Sequence, residues 1–490
     1  MRSSHVASPV RTRFLISIVP LTVALAGCSS TTRASNDAAD QTRRWLAGDH
    51  HIHSRFSVGW NDSTTPPTPI LAGDARYPIP VNAEMARKHG LAWMVSTDHG
   101  GPNHSKVNLD LAYPELQRSR TAVPDLIQFY GMEFDTPGAD HSSLIIPHSD
   151  HEHTDLFDIE RQFSKRDVFP HDSARDTEPR MLDALRYMAG ITLPPVVIAN
   201  HPSRSASGLG LYGLDRPSEL RDWNDAAPRV AIGMEGAPGH QANALHRDGS
   251  LDTAGARGGY GNFPTMGGFD QMTARLGGFW DSMLGEGRRW WVTSTSDSHL
   301  NWRDGGSDFW PGEYSKTFVF ADRRHADILD GLRNGRVFVT TGDLISELTV
   351  MAVTSGAPVA GIGGTLRVRS GRDVRVRVRL RQPSAPNQRG ERPQVARVDL
   401  IVGQVTGPVA NRALDTNPTT RVVKRFSAAE WKRDGEYLTM EHTLDDLHHA
   451  SYLRVRGTNT AELEPALDPR GENPWADLWF YSNPIFLTIR

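Results

Sequence analysis

The stretch Gly48-Asp-His-His-Ile-His-Ser-Arg-Phe-Ser57 (GDHHIHSRFS, residues 48–57) places three histidines within four positions, directly behind the apolar-leaning segment RRWLAG (43–48). Read as a polar loop it says nothing further. Read as a metal site it requires partners elsewhere in the chain. In an extended segment, residues two apart point to the same side. His51 and His53 can therefore present two ligands in one direction, while His50 points away and serves a supporting role. The pair Asp297 and His299 in TSDSH repeats the same spacing.

The partners are found by working outward. From about Trp45 to Asp343, short apolar runs alternate with segments of helical periodicity, the pattern of α/β architecture. Strands are expected at LAWMVST (91–97), LIQFYGM (126–132), SSLII (142–146), PVVIAN (195–200), RVAIGM (229–234) and RWWVTST (289–295). NAEMARKHG (82–90) and PRMLDALRYMAG (179–190) have helical spacing and end in Gly. Most of the runs finish in a histidine or carboxylate. The first leads to Asp49, His51 and His53, the next to Asp98 and His99, and FYGM leads to Glu133. His141 opens the following strand, and the later ones end at His201, Glu235 and Asp297 with His299. In a barrel of parallel strands such ends converge on one face, where barrel active sites sit.

This ordered set (HxH, then TDH, a Glu with a later His, His-Pro, and DxH) resembles the PHP domain, the polymerase and histidinol phosphatase superfamily. The match covers about residues 46 to 345. The resemblance implies a distorted (β/α)7 barrel and a metal-dependent phosphoesterase. Within that superfamily, the SDSH ending, GLRNGRVFVTTGD (331–343), the N-terminal signal and the trailing β-rich segment are similar to extracytoplasmic CehA/McbA-like hydrolases. Carried over, the resemblance makes His51, His53, Glu133 and Asp297 ligands of one metal. Glu133 would bridge to a second metal held by His141 and His201, and His99 and His299 would belong to a third position. One departure is visible: Val58 stands where the family often has an acidic or His ligand, and Asp62 is the nearby substitute. Asp98 is expected to orient a ligand.

Two or three divalent ions (Zn, Mn or Fe) are therefore expected, since the chain offers His and carboxylates without sulfur. Two cations about 3.5–4 Å apart would share a water, lower its pKa toward about 7 and clamp an in-line displacement by the bridging hydroxide. Around them, Glu235 is expected to line the pocket. His240 and His104, in glycine-rich loops, are candidate proton donors, and Arg204 in NHPSR is a candidate phosphate clamp. Trp290 and Trp291 read as packing. GARGGYGN (255–262) lacks the context of a phosphate cradle, and the absence of GxSxG weighs against serine-hydrolase chemistry. The close rival to phosphoester hydrolysis is hydrolysis of a carboxylic ester or carbamate by the same metals. A non-catalytic metal- or polymer-binding surface lipoprotein is the reading from another class.

At the N-terminus, Arg11 and Arg13 precede the apolar run Phe14 to Gly27, short of the roughly 20 residues a spanning helix needs. LAGC (25–28) resembles a lipoprotein cleavage box, so Cys28, the only cysteine, would carry the lipid. The expected organisation is a signal at 1–27, a tether at 28–44, the barrel at 45–343 and an antiparallel β-sandwich-like domain at 344–490. In that last part VRVRVRL (374–380) reads as a half-buried strand with a solvated Arg face. Removing residues 1–27 leaves 51 basic against 57 acidic residues, which gives no reason to expect nucleic acid. The expected partner is a small-molecule ester. The expected location is the cell envelope, lipid-anchored at the periplasmic face of the outer membrane.

Overall fold

The apolar runs between residues 44 and 341 become strands of one large mixed sheet, nearly all of whose residues are buried and so must be covered on both faces. A computed structural model describes residues 43–259 and 262–490. Residues 1–42, with the expected signal, Cys28 and nearly all of the tether, lie outside the described residues. The strands are β1 (Arg44–Asp49), β2 (Trp93–His99), β3 (Ile127–Asp135), β4 (His141–Ile146), β5 (Val196–Ala199), β6 (Ala231–Ala237), β7 (Trp291–Ser294), β8 (Ser315–Ala321) and β9 (Val337–Thr341). Their order in the sheet is β9-β8-β1-β2-β3-β4-β5-β6-β7.

The pairs β1/β2, β2/β3, β5/β6 and β6/β7 are parallel, whereas β4 runs antiparallel to both neighbours. His141 therefore reaches the common end of the sheet from the start of its strand. The path curls back toward its beginning: Ser294 N–H donates to Thr317 Oγ1 of β8 (2.8 Å), and Thr317 Oγ1 donates to Ser294 O (2.7 Å). Beyond the strand ends, Ile52 bridges Ser298, and His53 N–H donates to Ser298 O at 3.1 Å. That bridge brings the His51–His53 and Asp297–His299 segments side by side.

Helices cover the connections: α1 (Ile79–Lys88), α2 (Tyr113–Ala122), α3 (Glu152–Phe163), α4 (Glu178–Gly190), α5 (Pro217–Ala226), α6 (Phe279–Gly285) and α7 (His325–Arg333). In α4 the buried residues Met181, Ala184, Leu185 and Met188 form one stripe, and Pro179 sits in the first turn, where its missing N–H is no loss. After α1 the chain turns at Gly90, whose φ of +82° suits glycine.

Past Asp343 the sequence changes character, and most of it forms antiparallel strands. β10 (Glu347–Val353), β12 (Arg372–Arg381) and β14 (Tyr437–Leu447) make a separate antiparallel sheet. In β12, Val374, Val376, Val378 and Leu380 are buried, and Arg375 and Arg377 between them are exposed. The large sheet also continues into this half. β16 (Trp479–Ser482) pairs with β9 and with β15 (Ser451–Thr458), which in turn pairs with β13 (Arg397–Gln404) and β17 (Ile485–Ile489); β11 (Thr365–Val368) lies parallel to β17. Residues 43–490 thus form one compact unit. Buried polar contacts join its two halves. Arg454 of β15 forms two hydrogen bonds with Asp281 of α6, at 2.9 and 2.7 Å. Arg257 donates to Pro474 O and Asp477 O. Among the described residues no helix is long and apolar enough to cross a membrane.

Candidate metal centre

Glu133 ends β3 in the middle of the sheet, and its two oxygens face different imidazoles. Oε1 lies 2.9 Å from His201 Nε2, and 3.2 Å from both His51 Nε2 and His141 Nδ1. Oε2 lies 2.7 Å from His99 Nδ1 and 3.5 Å from His53 Nε2. Register explains the neighbours: Glu133 is paired with His99 across β2/β3, and Asp135 with His141 across β3/β4. From the far end, Asp297 Oδ1 approaches His51 Nε2 (3.1 Å) and His53 Nε2 (3.0 Å). All eight expected ligands, His51, His53, His99, Glu133, His141, His201, Asp297 and His299, are brought together.

The donor set fits a cation. His51 Nδ1 is held by Glu235 Oε1 at 2.8 Å, and His53 Nδ1 by Ser57 Oγ at 2.8 Å. With the Nδ1 positions so engaged, the tautomers assigned from these partners aim both Nε2 lone pairs at one point. The two Nε2 atoms are 3.0 Å apart. Ligand atoms around a tetrahedral zinc, at bonds near 2.0–2.1 Å, are separated by about 3.3 Å. Glu133 Oε2 and His201 Nδ1 are buried without a correctly directed hydrogen bond, as coordination would leave an oxygen whose partner is a metal. Overlapping triads such as His51/His53/Glu133, His51/His201/Asp297, His99/Glu133/His141 and His53/His99/His299 each have ligand atoms within 4.8 Å of one another.

Electrostatics follow the packing. Burial would raise the carboxyl of Glu133, but the imidazoles of His141, His99 and His51 hold it well below the usual range. Asp297 is likewise held down, against burial, by His51 and His240. Burial, reinforced by the charges of His299 and His99, pushes His53 well down, which keeps it neutral. His201 (φ +30°), His240 (+58°) and Asp297 (+47°) all adopt the left-handed backbone that non-glycine residues rarely take. Such strain collects where a fold holds side chains for function.

The supporting residues divide as the spacing suggests. His50 points away and is fixed between Ser143 Oγ and Thr293 Oγ1. Asp98 accepts from Ser54 N–H, Ser54 Oγ and Ser57 Oγ, and so braces the hydroxyl that holds His53. Asp49 accepts from the backbone N–H groups of His51 and Ser296.

Four expectations are corrected by the geometry, one of them His240 as a proton donor, since both its ring nitrogens lie against carboxylates. Glu235 does not line a pocket. It is fully buried, with Oε1 on His51 Nδ1 and Thr295 Oγ1 and Oε2 accepting from His201 N–H, so it orients His51 and His201. His104 is not a proton donor at the centre: it is buried behind it, with Nδ1 at Glu160 Oε1 and Nε2 at Phe56 O. Its short helix (His104–Val107) sets it against Glu160 of α3. Asp62 is exposed in the turn of a small hairpin formed by Gly59–Asn61 and Thr68–Ile70. The carboxylate beside His99 and His299 is instead Asp74, whose Oδ2 lies 3.4 Å from His299 Nε2 and 3.6 Å from His99 Nε2. Val58 is buried in the core. The hairpin carries the acidic residue away from any fixed spacing, so no local motif pointed to Asp74.

Arg204 and His240 are at the centre. Arg204 Nη2 donates to Asp140 Oδ1 (2.7 Å) and lies 3.4 Å from His141 Nδ1. His240 lies between Asp297 Oδ2 (3.0 Å) and Asp308 Oδ1 (2.6 Å), where burial opposes its charge but the two carboxylates push its pKa well up. In comparisons with known proteins, no protein-family model matches the chain and no curated protein matches it.

Proposed function

We propose that this chain is a metal-dependent phosphoesterase, built on a distorted (β/α)7 barrel, that holds two divalent ions and a third at the Asp74 position. The observation that carries this reading is Glu133, whose two oxygens face separate groups of imidazoles in the manner of a bridging carboxylate. His51, His53 and Asp297 would complete one position, His141 and His201 the other, and His99, His299 and Asp74 the third. Zn²⁺, Mn²⁺ and Fe²⁺ all suit such nitrogen and oxygen donors. When bound, the ions supply Lewis-acid chemistry, acidifying water and neutralising charge on an ester oxygen.

The chain's own residues do the rest. Glu235 and Ser57 fix the ring orientations of His51 and His53. Arg204 stands over the His141 side, where a guanidinium can grip a phosphoryl oxygen. Arg166, with Nη2 on Gly100 O at 3.0 Å and Nε 3.4 Å from Asp135 Oδ1, adds a second cation on that side. Two arginines beside the donor set favour phosphate over an uncharged ester or carbamate. The substrate is a small ester, met at the cell envelope by a chain anchored through Cys28.

The test is metal content and turnover of protein lacking residues 1–28, on p-nitrophenyl phosphate, bis-p-nitrophenyl phosphate and p-nitrophenyl acetate. Two or more ions per chain, with phosphate turnover lost in the His51→Ala/His53→Ala variant, is the expected result. Bound ions with cleavage of acetate alone would move the reading to carboxylic esters. A chain that takes up no ion and turns nothing over would leave a non-catalytic surface protein.

A further inference from the structure

Asp297 has two oxygens with separate surroundings. Oδ1 faces His51 and His53 among the metal donors, and Oδ2 is taken by His240 Nε2. The chain goes to some length to put His240 there. Pro238–His240 follows β6 and lies pressed on the Asp297 segment: a Cβ on Gly239 would come 2.0 Å from Asp297 Cβ and 2.6 Å from Ser296 O. His240 and Asp297 both adopt left-handed backbone at this contact.

Behind His240 stands Asp308, buried at 1% exposure. Its Oδ1 takes His240 Nδ1 (2.6 Å) and Ser307 Oγ (3.0 Å), and its Oδ2 accepts the N–H groups of His299 (2.7 Å) and Leu300 (3.0 Å). One carboxylate thus sets the His240 ring and the peptide that carries His299. Four donors converge on the two oxygens of Asp308. Both ring nitrogens of His240 lie against carboxylates, which suits it to hold Asp297 in place rather than to protonate a leaving group.

We propose that His240 and Asp308 are positioning residues for the metal centre: Asp308 holds His240, and His240 holds Asp297 Oδ2 so that only Oδ1 is offered to the ion. This rests on the metal-centre reading above. Partners of this kind behind metal ligands typically contribute 10–100-fold to metal affinity.

The test uses the purified full chain loaded with Co²⁺ alone, read by chelator competition and by the visible absorption of the bound ion. In His240→Ala, Asp297 is free to turn and offer both oxygens. Affinity should fall about 10–100-fold, with a changed Co²⁺ band. His240→Gln, whose amide N–H can still donate to Oδ2, should recover much of both. Asp308→Asn should shift affinity and band in the same direction as His240→Ala; if His240→Ala does not fold, Gln and Asn carry the comparison. Unchanged affinity and spectrum in the folded variants would overturn the proposal while leaving the metal centre standing. An unmutated chain that takes up no Co²⁺ would overturn the metal centre itself, and the relay with it.

Discussion

Asp74 Oδ2 stands 3.4 Å from His299 Nε2, brought there by a hairpin whose sequence has no ligand signature. Burial would raise the Asp74 carboxyl, but His299 and then His99 hold it down at about 2, so it is anionic throughout the range in which an enzyme works. Asp74→Asn keeps the shape and removes the charge. The expected result is loss of the most weakly held ion, seen as one fewer metal per chain, while Asp62→Asn keeps the full complement. Equal metal content in the two variants would remove Asp74 from the ligand set.

Arg166 and Arg204 flank His141 through Asp135 and Asp140, each carboxylate 3.6 Å from a nitrogen of that ring. Both guanidiniums are partly exposed, at 47% and 34%, so N–H groups remain to meet a substrate oxygen. A charge-assisted hydrogen bond contributes about 1.5–3 kcal/mol. Arg166→Met and Arg204→Met should each raise KM for p-nitrophenyl phosphate about tenfold or more, with metal content unchanged. An unaltered KM would mean that the arginines only neutralise Asp135 and Asp140.

The cluster of expected ligands was legible because its members lie at or just past strand ends, or for His141 at a strand start, and two-residue spacing assigned His51 and His53 to one side and His50 to the other. That rule is local, and it fails wherever the chain travels before returning. Asp74 arrives past a hairpin and Asp308 past the loop that follows His299, so neither has a fixed offset from a motif. His104 and Glu235 were misplaced for a different reason. A histidine in a glycine-rich loop and a carboxylate at a strand end look alike whether they face the centre or stand behind it, and only packing decides. The β-rich character after Asp343 was visible in the alternation of β12. That β16 would extend the large sheet beside β9 was not, because strand pairing across more than a hundred residues leaves no trace in either strand alone.

His104 offers a pH test away from the metal donors. Burial opposes its charge, but Glu160 at 2.8 Å overrides this and raises its pKa to about 9, against an ordinary 6.5. A histidine with a raised folded pKa contributes stability that is fully present below its unfolded value and is lost as pH rises through the folded one. The stability difference between the unmutated chain and His104→Gln should therefore be largest below about pH 6.5, and shrink as pH passes through about 9. Urea midpoints measured for both across that range give the answer. A gap that does not change with pH would mean that His104 is neutral in the fold.

Arg454 and Asp281 test whether the two halves fold as one. Both side chains are fully buried, and the pair joins β15 to α6. Asp281 also accepts from Tyr452 Oη (3.0 Å) and Gly277 N–H (2.8 Å), so removing the guanidinium leaves a carboxylate with hydrogen bonds but no countercharge. Breaking such a pair from one side costs about 3–5 kcal/mol. Arg454→Met should lower the urea midpoint accordingly, and adding Asp281→Asn should restore part of the loss, because an amide needs no cation. If the halves share one core, a single unfolding transition should shift, with intrinsic tryptophan fluorescence and metal release moving together. A variant in which the C-terminal half unfolds first while the metal centre holds its ions would show that the continuous sheet joins two separately stable parts.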